Sequence, residues 1–225
     1  MKAERSMATS PDTPVVFVVD DDISVRESLE SLIGWAGWQA KTFDSAQAFL
    51  AQPKCLNPCC LVLDVSMPGI TGLELQSLIA EDRVDMPIIF ITGHGDIPMT
   101  VQAMKAGAVE FLTKPIDDEA LLNAIHHSID QSKATRADET EVNAVRERYE
   151  SLTPREREVM NLVVSGLLNK QIGMKLGISE ITVKAHRGKM MQKMEADSLA
   201  DLVRMSVSLK LAPAMNPWQV AREHY

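Results

Sequence analysis

Residues 15–22 read VVFVVDDD, five apolar side chains that end directly in three aspartates. An unbroken apolar run of this length is typical of a strand that is buried on both faces of a sheet. Similar short runs give four more strand candidates, at Gln39–Phe43, Cys60–Leu63, Ile88–Ile91 and Val109–Leu112. Between the runs, apolar residues recur at helical spacing in Ser24–Trp35, Ser45–Leu50, Leu73–Glu81, Met99–Ala106 and Glu119–Ile129. This alternation predicts an α/β domain over residues 15–130, with a doubly wound, five-stranded parallel sheet between two layers of helices.

The chain changes character after residue 130. Residues 131–150 are polar and charged and contain neither glycine nor proline, which favours a helical linker. Beyond the linker, the alternation that is typical of strands does not return. Four helices are expected instead, at Pro154–Ser165, Asn169–Leu176, Ser179–Lys193 and Ser198–Lys210, so that residues 151–212 are predicted to form an all-α domain. Residues 1–14 and 213–225 are expected to be flexible tails.

The net charge of −8 is divided unevenly along the 225 residues. Residues 1–130 carry 8 basic and 19 acidic side chains, whereas residues 131–225 carry 15 basic and 12 acidic ones. An apolar fraction of 45% and a charged fraction of 24% are ordinary for a folded chain and argue against wholesale disorder. Because no apolar run approaches the roughly 18 residues of a membrane span and the N-terminus lacks a secretory signal, we expect a cytoplasmic protein that does not contact the membrane.

Three cysteines, Cys55, Cys59 and Cys60, lie within six positions of one another. Their odd number and their clustering argue against a disulfide framework, above all in a reducing compartment. A zinc site would need a second pair of cysteines or histidines at suitable spacing, and the neighbouring sequence offers none. Ordinary buried or loop thiols are therefore expected.

Polar residues follow four of the five predicted strands. Asp20 comes after the first strand, Asp64 after the third, Thr92 after the fourth and Lys114 after the fifth. Because open parallel sheets carry their sites outside the carboxyl ends of the strands, we expect these side chains to converge. Carboxylates that converge need a cation between them, and Mg²⁺ and the lysine ammonium are the candidates. Taken singly, an aspartate run is more often a solvated loop, but the ordered occurrence of these residues favours a site.

This set of groups suits phosphoryl transfer to a carboxylate. Asp64 would be the nucleophile and would form an aspartyl phosphate. Mg²⁺ and Lys114 would neutralise the phosphoryl oxygens, and the hydroxyl of Thr92 would donate a hydrogen bond. A Mg²⁺-dependent phosphatase is the enzymatic alternative, but such an enzyme uses a second aspartate as general acid at the position that Ser66 occupies. Apart from self-phosphorylation by a phosphodonor and slow self-dephosphorylation, enzymatic turnover is therefore not expected.

Four segments resemble the receiver domain of two-component response regulators: VVDDD at 18–22, LDVSMPG at 63–69, ITG at 91–93 and KP at 114–115. The resemblance implies a flavodoxin-like fold in which Asp64 is the phospho-acceptor for a sensor histidine kinase. It also implies a cis peptide bond between Lys114 and Pro115. Residues 93–99 and 103–108 resemble the FixJ-like branch of these proteins in particular.

The same resemblance implies a metal site and a switch. The metal is Mg²⁺, with Mn²⁺ or Ca²⁺ as substitutes, and its implied ligands are Asp20, Asp21, Asp64 and the backbone carbonyl of Ser66. Asp22 would act on the metal only indirectly. Thr92 and Phe111 match the switch pair of the family: the threonine would move toward the phosphoryl group and the phenylalanine would rotate into the space it leaves. A phenylalanine near the end of a strand is, however, more often plain core.

The predicted helical domain is basic, with 10 basic and 6 acidic residues over positions 151–212. A short helix, a turn at Gly177 and a second helix rich in lysine and arginine are typical of a helix-turn-helix, whose second helix enters the major groove of DNA. Ser179 is placed to cap that second helix, and Thr153 with Glu156 has the spacing of a capping box. On charge alone, a helical bundle with a solvated basic face is the commoner structure.

Further segments resemble the LuxR-type helix-turn-helix domain of NarL/FixJ-family regulators: LTPREREV at 152–159, NKQI at 169–172, LGIS at 176–179 and TVKAHR at 182–187. The residues that this resemblance places near DNA are Asn169, Lys170, Thr182, Lys184, Ala185, His186, Arg187 and Gly188. Because Gly188 stands where relatives often have a long polar side chain, one base contact is expected to be absent. In the final helix, the resemblance assigns dimerisation to Leu199, Leu202, Val203 and Ser206, with packing inside the monomer as the alternative.

These observations favour a transcription factor that is controlled by phosphorylation. Its expected partners are a sensor histidine kinase, double-stranded promoter DNA, a second copy of the chain after phosphorylation, and RNA polymerase as a further candidate. A binding adaptor whose helical domain contacts protein or RNA is the alternative from another functional class. The concentration of positive charge on one predicted helix argues against that adaptor.

Overall fold

The computed structural model describes residues 13–93 and 97–211, in two compact units that divide between Ala137 and Asp138. The predicted tails at residues 1–14 and 213–225 lie outside these ranges, apart from residues 13 and 14. The loop residues His94–Asp96 also lie outside them. No helix among the described residues is long and apolar enough to cross a membrane.

The first unit alternates strands with helices. Its elements are β1 (Val15–Val19), α1 (Ile23–Trp35), β2 (Gln39–Phe43), α2 (Ala46–Leu50), β3 (Cys59–Asp64), α3 (Gly72–Ile79), β4 (Ile88–Thr92), α4 (Ile97–Lys105), β5 (Glu110–Thr113) and α5 (Asp118–Glu150). The five strands are all parallel and lie in the order β2-β1-β3-β4-β5. The predicted flavodoxin-like sheet is thus confirmed. The strand order reverses between β1 and β3, so the carboxyl ends of these two strands flank the place where such sheets carry their sites.

The central strand β1 shows how both layers of helices attach to the sheet. All five of its residues are buried. Successive side chains of a strand point to opposite faces, and here the odd-numbered residues pack with α2, α3 and α4, whereas the even-numbered ones pack with α1 and α5. An apolar run without polar interruption is therefore what a strand in this position requires.

Helix α5 runs without interruption from Asp118 to Glu150 and contains the whole of the predicted linker. Its residues 131–137 still belong to the first unit. The fully buried Ser132 hydroxyl accepts a hydrogen bond from the Cys59 backbone N–H at 3.1 Å and donates one to the Asp85 carbonyl at 2.6 Å. The contacts of the first unit thus extend seven residues beyond the boundary predicted at residue 130, and α5 continues as a helix through the predicted helical linker.

The second unit is entirely helical over the residues that the structure describes. After the end of α5 it contains α6 (Pro154–Val164), α7 (Asn169–Leu176), α8 (Glu180–Met194) and α9 (Leu199–Ser208). The prediction of a four-helix domain is confirmed. Val145, near the end of α5, packs into the apolar core that these four helices share. The turn between α7 and α8 uses Gly177 with φ 68°, a left-handed conformation that favours glycine.

A buried glutamate joins α6 to α8. Glu156 completes the predicted capping box with Thr153, because its carboxylate accepts the Thr153 backbone N–H at 2.9 Å. The same carboxylate accepts a hydrogen bond from the Lys193 ammonium at 2.7 Å. That hydrogen bond, followed by those from Thr153, lowers the pKa of Glu156 despite its burial. The start of α6 is thereby held against α8, which carries more basic residues than α6, α7 or α9.

Candidate functional site

Two carboxylates and one ammonium meet at the carboxyl edge of the sheet. The Lys114 Nζ lies 2.7 Å from Asp20 Oδ2 and 3.1 Å from Asp64 Oδ1. The Asp20 side chain is fully buried and that of Asp64 is 5% exposed, whereas Lys114 retains 25% of its exposure. The predicted convergence of these three side chains is thus found in the structure. One positive charge placed between two buried negative charges limits the cost of removing them from water.

The three successive aspartates have three different environments. Asp20 faces the pocket, and its Oδ1 accepts the Asp22 backbone N–H at 2.9 Å. Asp21 is exposed beside it. The Asp22 carboxylate accepts the Ser24 backbone N–H at 2.8 Å and is the N-cap of α1. Asp22 thus has a structural role as a helix cap, and its indirect role at a metal remains a prediction.

Asp64 is oriented by the turn that follows it. Its Oδ2 accepts the Ser66 backbone N–H at 3.0 Å, which leaves Oδ1 toward Lys114. Gly72, the first residue of α3, packs so closely that a Cβ there would lie 2.4 Å from the Asp64 carbonyl oxygen. Only glycine allows this approach without displacing the backbone. In the sequence, Gly72 is marked only by its position directly after a helix-capping threonine, and its close approach to Asp64 was not predicted.

Lys114 is placed by the end of β5. The peptide bond between Lys114 and Pro115 is cis, as predicted. The Lys114 backbone N–H donates to the Thr92 carbonyl at 2.7 Å, which extends the pairing of β4 with β5 by one residue. Both neighbours of the ammonium, Asp20 and Asp64, lie at the ends of other strands, so the pocket is assembled from three strands that are distant along the chain.

The charges in the pocket change one another's protonation. Burial raises the pKa of the Asp64 carboxyl; the hydrogen bond and charge of Lys114 oppose this effect, and the nearby negative charge of Asp20 adds to it. For Lys114, burial by itself would lower the pKa, but the hydrogen bonds and charges of the two aspartates outweigh burial and raise it. The ammonium is therefore firmly charged at neutral pH, and the protonation state of Asp64 depends on the cation beside it.

The two residues of the predicted switch lie on neighbouring strands. Thr92 is fully buried at the end of β4, where its register partner is Thr113. Phe111 is partly buried on β5, and its ring centroid lies 6.2 Å from that of Phe90. Thr92 is thus the more deeply buried of the two residues. The movement itself remains a prediction.

The oxygen donors of the pocket fit a magnesium ion that keeps most of its water. Asp20 and Asp64 present carboxylate oxygens near one another, and Mg²⁺ is commonly held by one or two carboxylates while water fills its other positions. In the described part of the chain, no three His, Cys, Asp or Glu side chains are arranged to enclose an ion together. All four predicted metal ligands, Asp20, Asp21, Asp64 and the Ser66 carbonyl, remain predictions.

In the second unit, α8 has one buried and one exposed face. Val183, Met190 and Met194 are fully buried in the core. Of the residues predicted to lie near DNA, Lys170, Lys184, Ala185 and Gly188 are exposed, whereas Asn169, Thr182, His186 and Arg187 are partly buried. Lys184 forms an ion pair with Glu180, at 3.2 Å on the same helix, and such exposed pairs contribute little to stability. Its ammonium can therefore turn to another anion at small cost.

Arg187 is held differently from Lys184. Its Nη1 donates to the Asn169 Oδ1 at 3.1 Å, which joins the start of α7 to α8. The prediction placed both residues at the DNA as separate contacts. The structure brings them together as one hydrogen-bonded pair, so that the guanidinium is oriented before any partner arrives.

Gly188 leaves a gap on the exposed face of α8, whereas Gly173 is closely packed, so a side chain should have opposite effects on stability at the two positions. A Cβ at Gly188 would meet no atom within 4 Å, whereas a Cβ at Gly173 would lie 2.7 Å from the Ile178 carbonyl oxygen. Because alanine loses less backbone freedom than glycine in a helix, Gly188→Ala should raise the free energy of unfolding by about 0.5–1 kcal/mol. Gly173→Ala should lower it by about 1–3 kcal/mol through overpacking.

Urea denaturation of the full chain, followed by circular dichroism, measures both changes. A lower stability of Gly188→Ala would mean that the exposed face of α8 is covered in the free protein. A neutral effect of Gly173→Ala would mean that α7 and α8 can move apart at their junction.

Helix α9 corrects the predicted dimer surface. Leu202 is fully buried and Ser206 is 5% exposed, because both residues face the core of the second unit. The prediction is therefore wrong for these two residues. Leu199 and Val203 are exposed, and Val207, which the prediction omitted, is 68% exposed in line with them. The exposed stripe thus recurs every four residues, one helical turn apart.

A pair of buried aspartates with a lysine, in one chain with a helix-turn-helix unit, is the arrangement expected of a receiver domain joined to a DNA-binding domain. The family model described as "Response regulator receiver domain" matches residues 16–126, and the one described as "Bacterial regulatory proteins, luxR family" matches residues 150–206. The chain belongs to the response regulators that combine these two domains.

Similar proteins agree with this assignment over most of their length. Nodulation protein W of Bradyrhizobium diazoefficiens is 48% identical over 198 residues, which cover 88% of this chain and 87% of that protein. Transcriptional regulatory protein FixJ of Rhizobium meliloti is 42% identical over 199 residues, or 88% of this chain and 98% of that protein. The solved structure of the response regulator StyR is similar with a TM-score of 0.76 and 48% identity, covering 87% of this chain and 98% of that one.

The chain is accordingly a transcriptional response regulator and not an enzyme in the usual sense. Its receiver domain implies a histidine kinase as the source of the signal, and its LuxR-type domain implies DNA as the target. Receiver domains in general depend on Mg²⁺.

Proposed function

We propose that Asp64 accepts a phosphoryl group from a sensor histidine kinase and that the aspartyl phosphate controls sequence-specific binding of the second domain to promoter DNA. The observation that carries the proposal is the contact of Lys114 Nζ with Asp64 Oδ1 at 3.1 Å. Burial in this pocket disfavours the charged form of Asp64, and the ammonium opposes that effect. A carboxylate held against a fixed cation is prepared for a reaction that brings more negative charge to the same place.

Each pocket residue has a separate task in this proposal. Asp64 Oδ1 attacks phosphorus, and the Ser66 backbone N–H holds Oδ2 so that the carboxylate keeps its direction. The Lys114 ammonium stays within reach of both Asp20 and the phosphoryl oxygens. Mg²⁺, bound through Asp20 and Asp64 with Asp21 nearby, would neutralise charge on the phosphoryl oxygens. Thr92 would donate its hydroxyl hydrogen to the phosphorylated form and Phe111 would follow it, as a switch between two packed arrangements.

The second domain supplies the output. The exposed face of α8, which includes Lys184, Ala185 and Gly188, is proposed to enter the major groove, and Lys170 with the Asn169–Arg187 pair to contact phosphates. The apolar stripe Leu199, Val203 and Val207 is proposed to pair two copies of the chain after phosphorylation. RNA polymerase is a further candidate partner at the promoter. Because the target is the DNA of a bacterial cell, the proposed location is the cytoplasm.

A phosphatase that uses Asp64 as a nucleophile is the weaker candidate. Ser66, at the position where such an enzyme needs its general acid, contributes its backbone N–H to the nucleophile, and a hydroxyl is a poor acid at neutral pH. We therefore propose self-phosphorylation from a small phosphodonor and slow self-dephosphorylation as the only reactions of the isolated protein. An adaptor that contacts protein or RNA is tested by the experiment below.

Full-length protein should be incubated with acetyl phosphate and Mg²⁺ and used to select sequences from a pool of random DNA duplexes. The proposal expects one recurrent motif, bound more tightly with the phosphodonor than without it. The affinity should fall steeply with salt, because binding to phosphates releases counterions. A pool that shows no enriched sequence with either form of the protein would favour the adaptor. Equal enrichment with and without the phosphodonor would mean that phosphorylation of Asp64 does not control DNA binding.

Lys184→Ala should weaken binding to the selected motif by about 1–3 kcal/mol, roughly five- to 150-fold, which is the range for a good contact to a base. Gel-shift titration at fixed salt measures the change. Arg204→Ala is the matched control, since Arg204 is an exposed cation on α9 that pairs with Asp201 on its own helix. Equal affinity of Lys184→Ala and the unchanged protein would place Lys184 outside the groove.

A further inference from the structure

One arginine of α1 reaches back to the turn that carries the three aspartates. Arg26 is the fourth residue of the helix, and its backbone N–H donates to the Asp22 carbonyl at 3.1 Å. Its side chain runs toward the start of the helix, as helical side chains do, and its Nη1 donates to the Asp20 carbonyl oxygen at 2.7 Å. Arg26 is therefore hydrogen-bonded to both ends of the segment Asp20–Asp22, although the proposed reaction gives it no task.

These contacts hold the backbone on both sides of Asp21. The peptide group between Asp20 and Asp21 is held by its carbonyl oxygen, which accepts the hydrogen bond from Arg26. The peptide group between Asp21 and Asp22 is held by its N–H, which donates to Asp20 Oδ1 at 2.9 Å. Because peptide groups are planar, the orientations of these two groups determine the backbone dihedral angles of Asp21 and the direction of its Cα–Cβ bond. Arg26 thus helps to orient the Asp21 side chain.

A positive charge is unfavourable at this end of a helix. The backbone N–H groups at a helix start carry partial positive charge, so anionic side chains are favoured there and cations are not. At Arg26 the hydrogen bond to the Asp20 carbonyl offsets this cost, since a charged donor forms a stronger bond than a neutral one. The negative charge of the aspartate run also offsets it. A side chain that goes against a local preference and is compensated by one specific contact is typical of functional sites.

We propose that Arg26 is a positioning residue of the metal site, because it holds the Asp20–Asp21 peptide group so that the Asp21 carboxylate is directed at the ion. The inference rests on the proposed function, which puts Mg²⁺ beside Asp20 and Asp64. Arg26 does not bind the ion, since a guanidinium has no acceptor to offer a cation. Its effect passes through the backbone, as partners of metal ligands orient those ligands in other proteins.

Positioning and a simple charge effect lead to opposite results when the guanidinium is removed. If only charge matters, the carboxylates lose a nearby cation and a divalent ion binds them more tightly. If Arg26 positions Asp21, the peptide group before Asp21 becomes free to rotate, the carboxylate must be ordered when the ion binds, and affinity falls. Loss of a hydrogen bond that orients a metal ligand typically lowers metal affinity by about ten- to hundredfold. The direction of the change therefore separates the two explanations.

The test measures binding of Mn²⁺ to the full-length protein by electron paramagnetic resonance, in which the signal of the free ion falls on binding, with Mg²⁺ as competitor. Arg26→Met should bind Mn²⁺ about tenfold or more weakly than the unchanged protein. Arg26→Lys keeps the charge but lacks the planar fork of the guanidinium, so its affinity should lie between the two. Tighter binding by Arg26→Met, or equal binding by all three proteins, would overturn the proposal.

Two further variants are controls for this experiment. Arg146→Met removes an arginine of the second unit whose Nη1 donates to Asn143 on the same helix, and it should bind Mn²⁺ like the unchanged protein. Asp21→Asn removes the carboxylate that Arg26 would orient. Weaker binding by Asp21→Asn together with unchanged binding by Arg26→Met would overturn the role of Arg26 alone. Unchanged binding by Asp21→Asn would overturn the predicted metal site and, with it, the role of Arg26.

Labelling by acetyl phosphate gives a second readout. In Arg26→Met protein the Mg²⁺ concentration for half-maximal labelling should rise, while saturating Mg²⁺ should restore most of the rate. The urea midpoint reports the stability of each variant separately. A lower midpoint with unchanged Mn²⁺ affinity would mean that Arg26 only stabilises the start of α1, against the proposal. If Arg26→Met does not fold, Arg26→Lys decides, because a charge effect alone predicts no change in its affinity.

Discussion

Asp64→Asn protein should take up no label from radiolabelled acetyl phosphate in the presence of Mg²⁺, while the unchanged protein becomes labelled on one residue. An amide oxygen is too weak a nucleophile to attack phosphorus, so the loss should be complete rather than partial. The fold should survive. Asparagine has nearly the same shape, its oxygen can still accept a hydrogen bond, and the substitution removes one of two buried negative charges that share the Lys114 ammonium.

The matched control for this experiment is Asp82→Asn. Asp82 is an exposed carboxylate whose partner is Lys54, at 3.7 Å, and it has no contact with the pocket. It should be labelled like the unchanged protein. Label that persists in Asp64→Asn would identify another acceptor and overturn the assignment, and loss of label in both variants would point to damage of the whole domain. Circular dichroism and the urea midpoint check that both variants are folded.

Lys114→Met should slow labelling on the order of 10²-fold, the usual effect of removing one charged hydrogen-bond donor from a reaction that builds up negative charge. Methionine keeps the length and the apolar stem of the side chain but places no charge between Asp20 and Asp64. The pKa of Asp64 should then rise further, because burial and the charge of Asp20 both raise it and the ammonium that opposes them is gone. Side-chain carboxyl NMR during a pH titration measures this shift.

The stability of the Lys114→Met protein should also depend on pH. The unfolded chain releases the Asp64 proton at a lower pH than the folded variant does, so stability is retained at low pH and is lost as the pH rises through the raised pKa. Lys105→Met, which removes an exposed lysine from the last turn of α4, is the control and should change neither property. A Lys114→Met protein whose labelling rate and Asp64 pKa are both unchanged would show that the ion pairs of the pocket are incidental.

The sequence predicted those features that depend on short stretches of the chain. The five strands could be predicted because buried parallel strands are unbroken apolar runs, and Asp20, Asp64, Thr92 and Lys114 could be predicted because each directly follows or ends such a run. The caps at Thr153 and Ser179 also follow from local spacing, and both are found. In each of these cases the information needed lies within a few residues.

Features that depend on contacts between distant segments could not be predicted in this way. A stripe of residues on α9 shows which of them share a face but not which face meets the core, so Leu202 and Ser206 were placed on the wrong side. The contacts of Ser132 and Arg136 with the first unit could not be predicted, because both look like ordinary polar linker residues until their partners, which are 47 to 81 positions away, are known. Gly72 is required only because a helix start approaches a backbone carbonyl.

The contacts of the three aspartates between β1 and α1 fix the number of residues at this junction. The first completes the pocket, the third fixes the first turn of the helix, and a single residue connects them. An inserted residue could not be taken up by a longer loop: either the pocket would lose its carboxylate or the helix would turn by about 100°, the rotation per residue of a 3.6-residue turn. Deletion has the same effect in the opposite direction. Insertions and deletions between β1 and α1 are therefore incompatible with the pocket. Sequences of other proteins that carry the same pocket can be aligned with this chain at this junction without a gap.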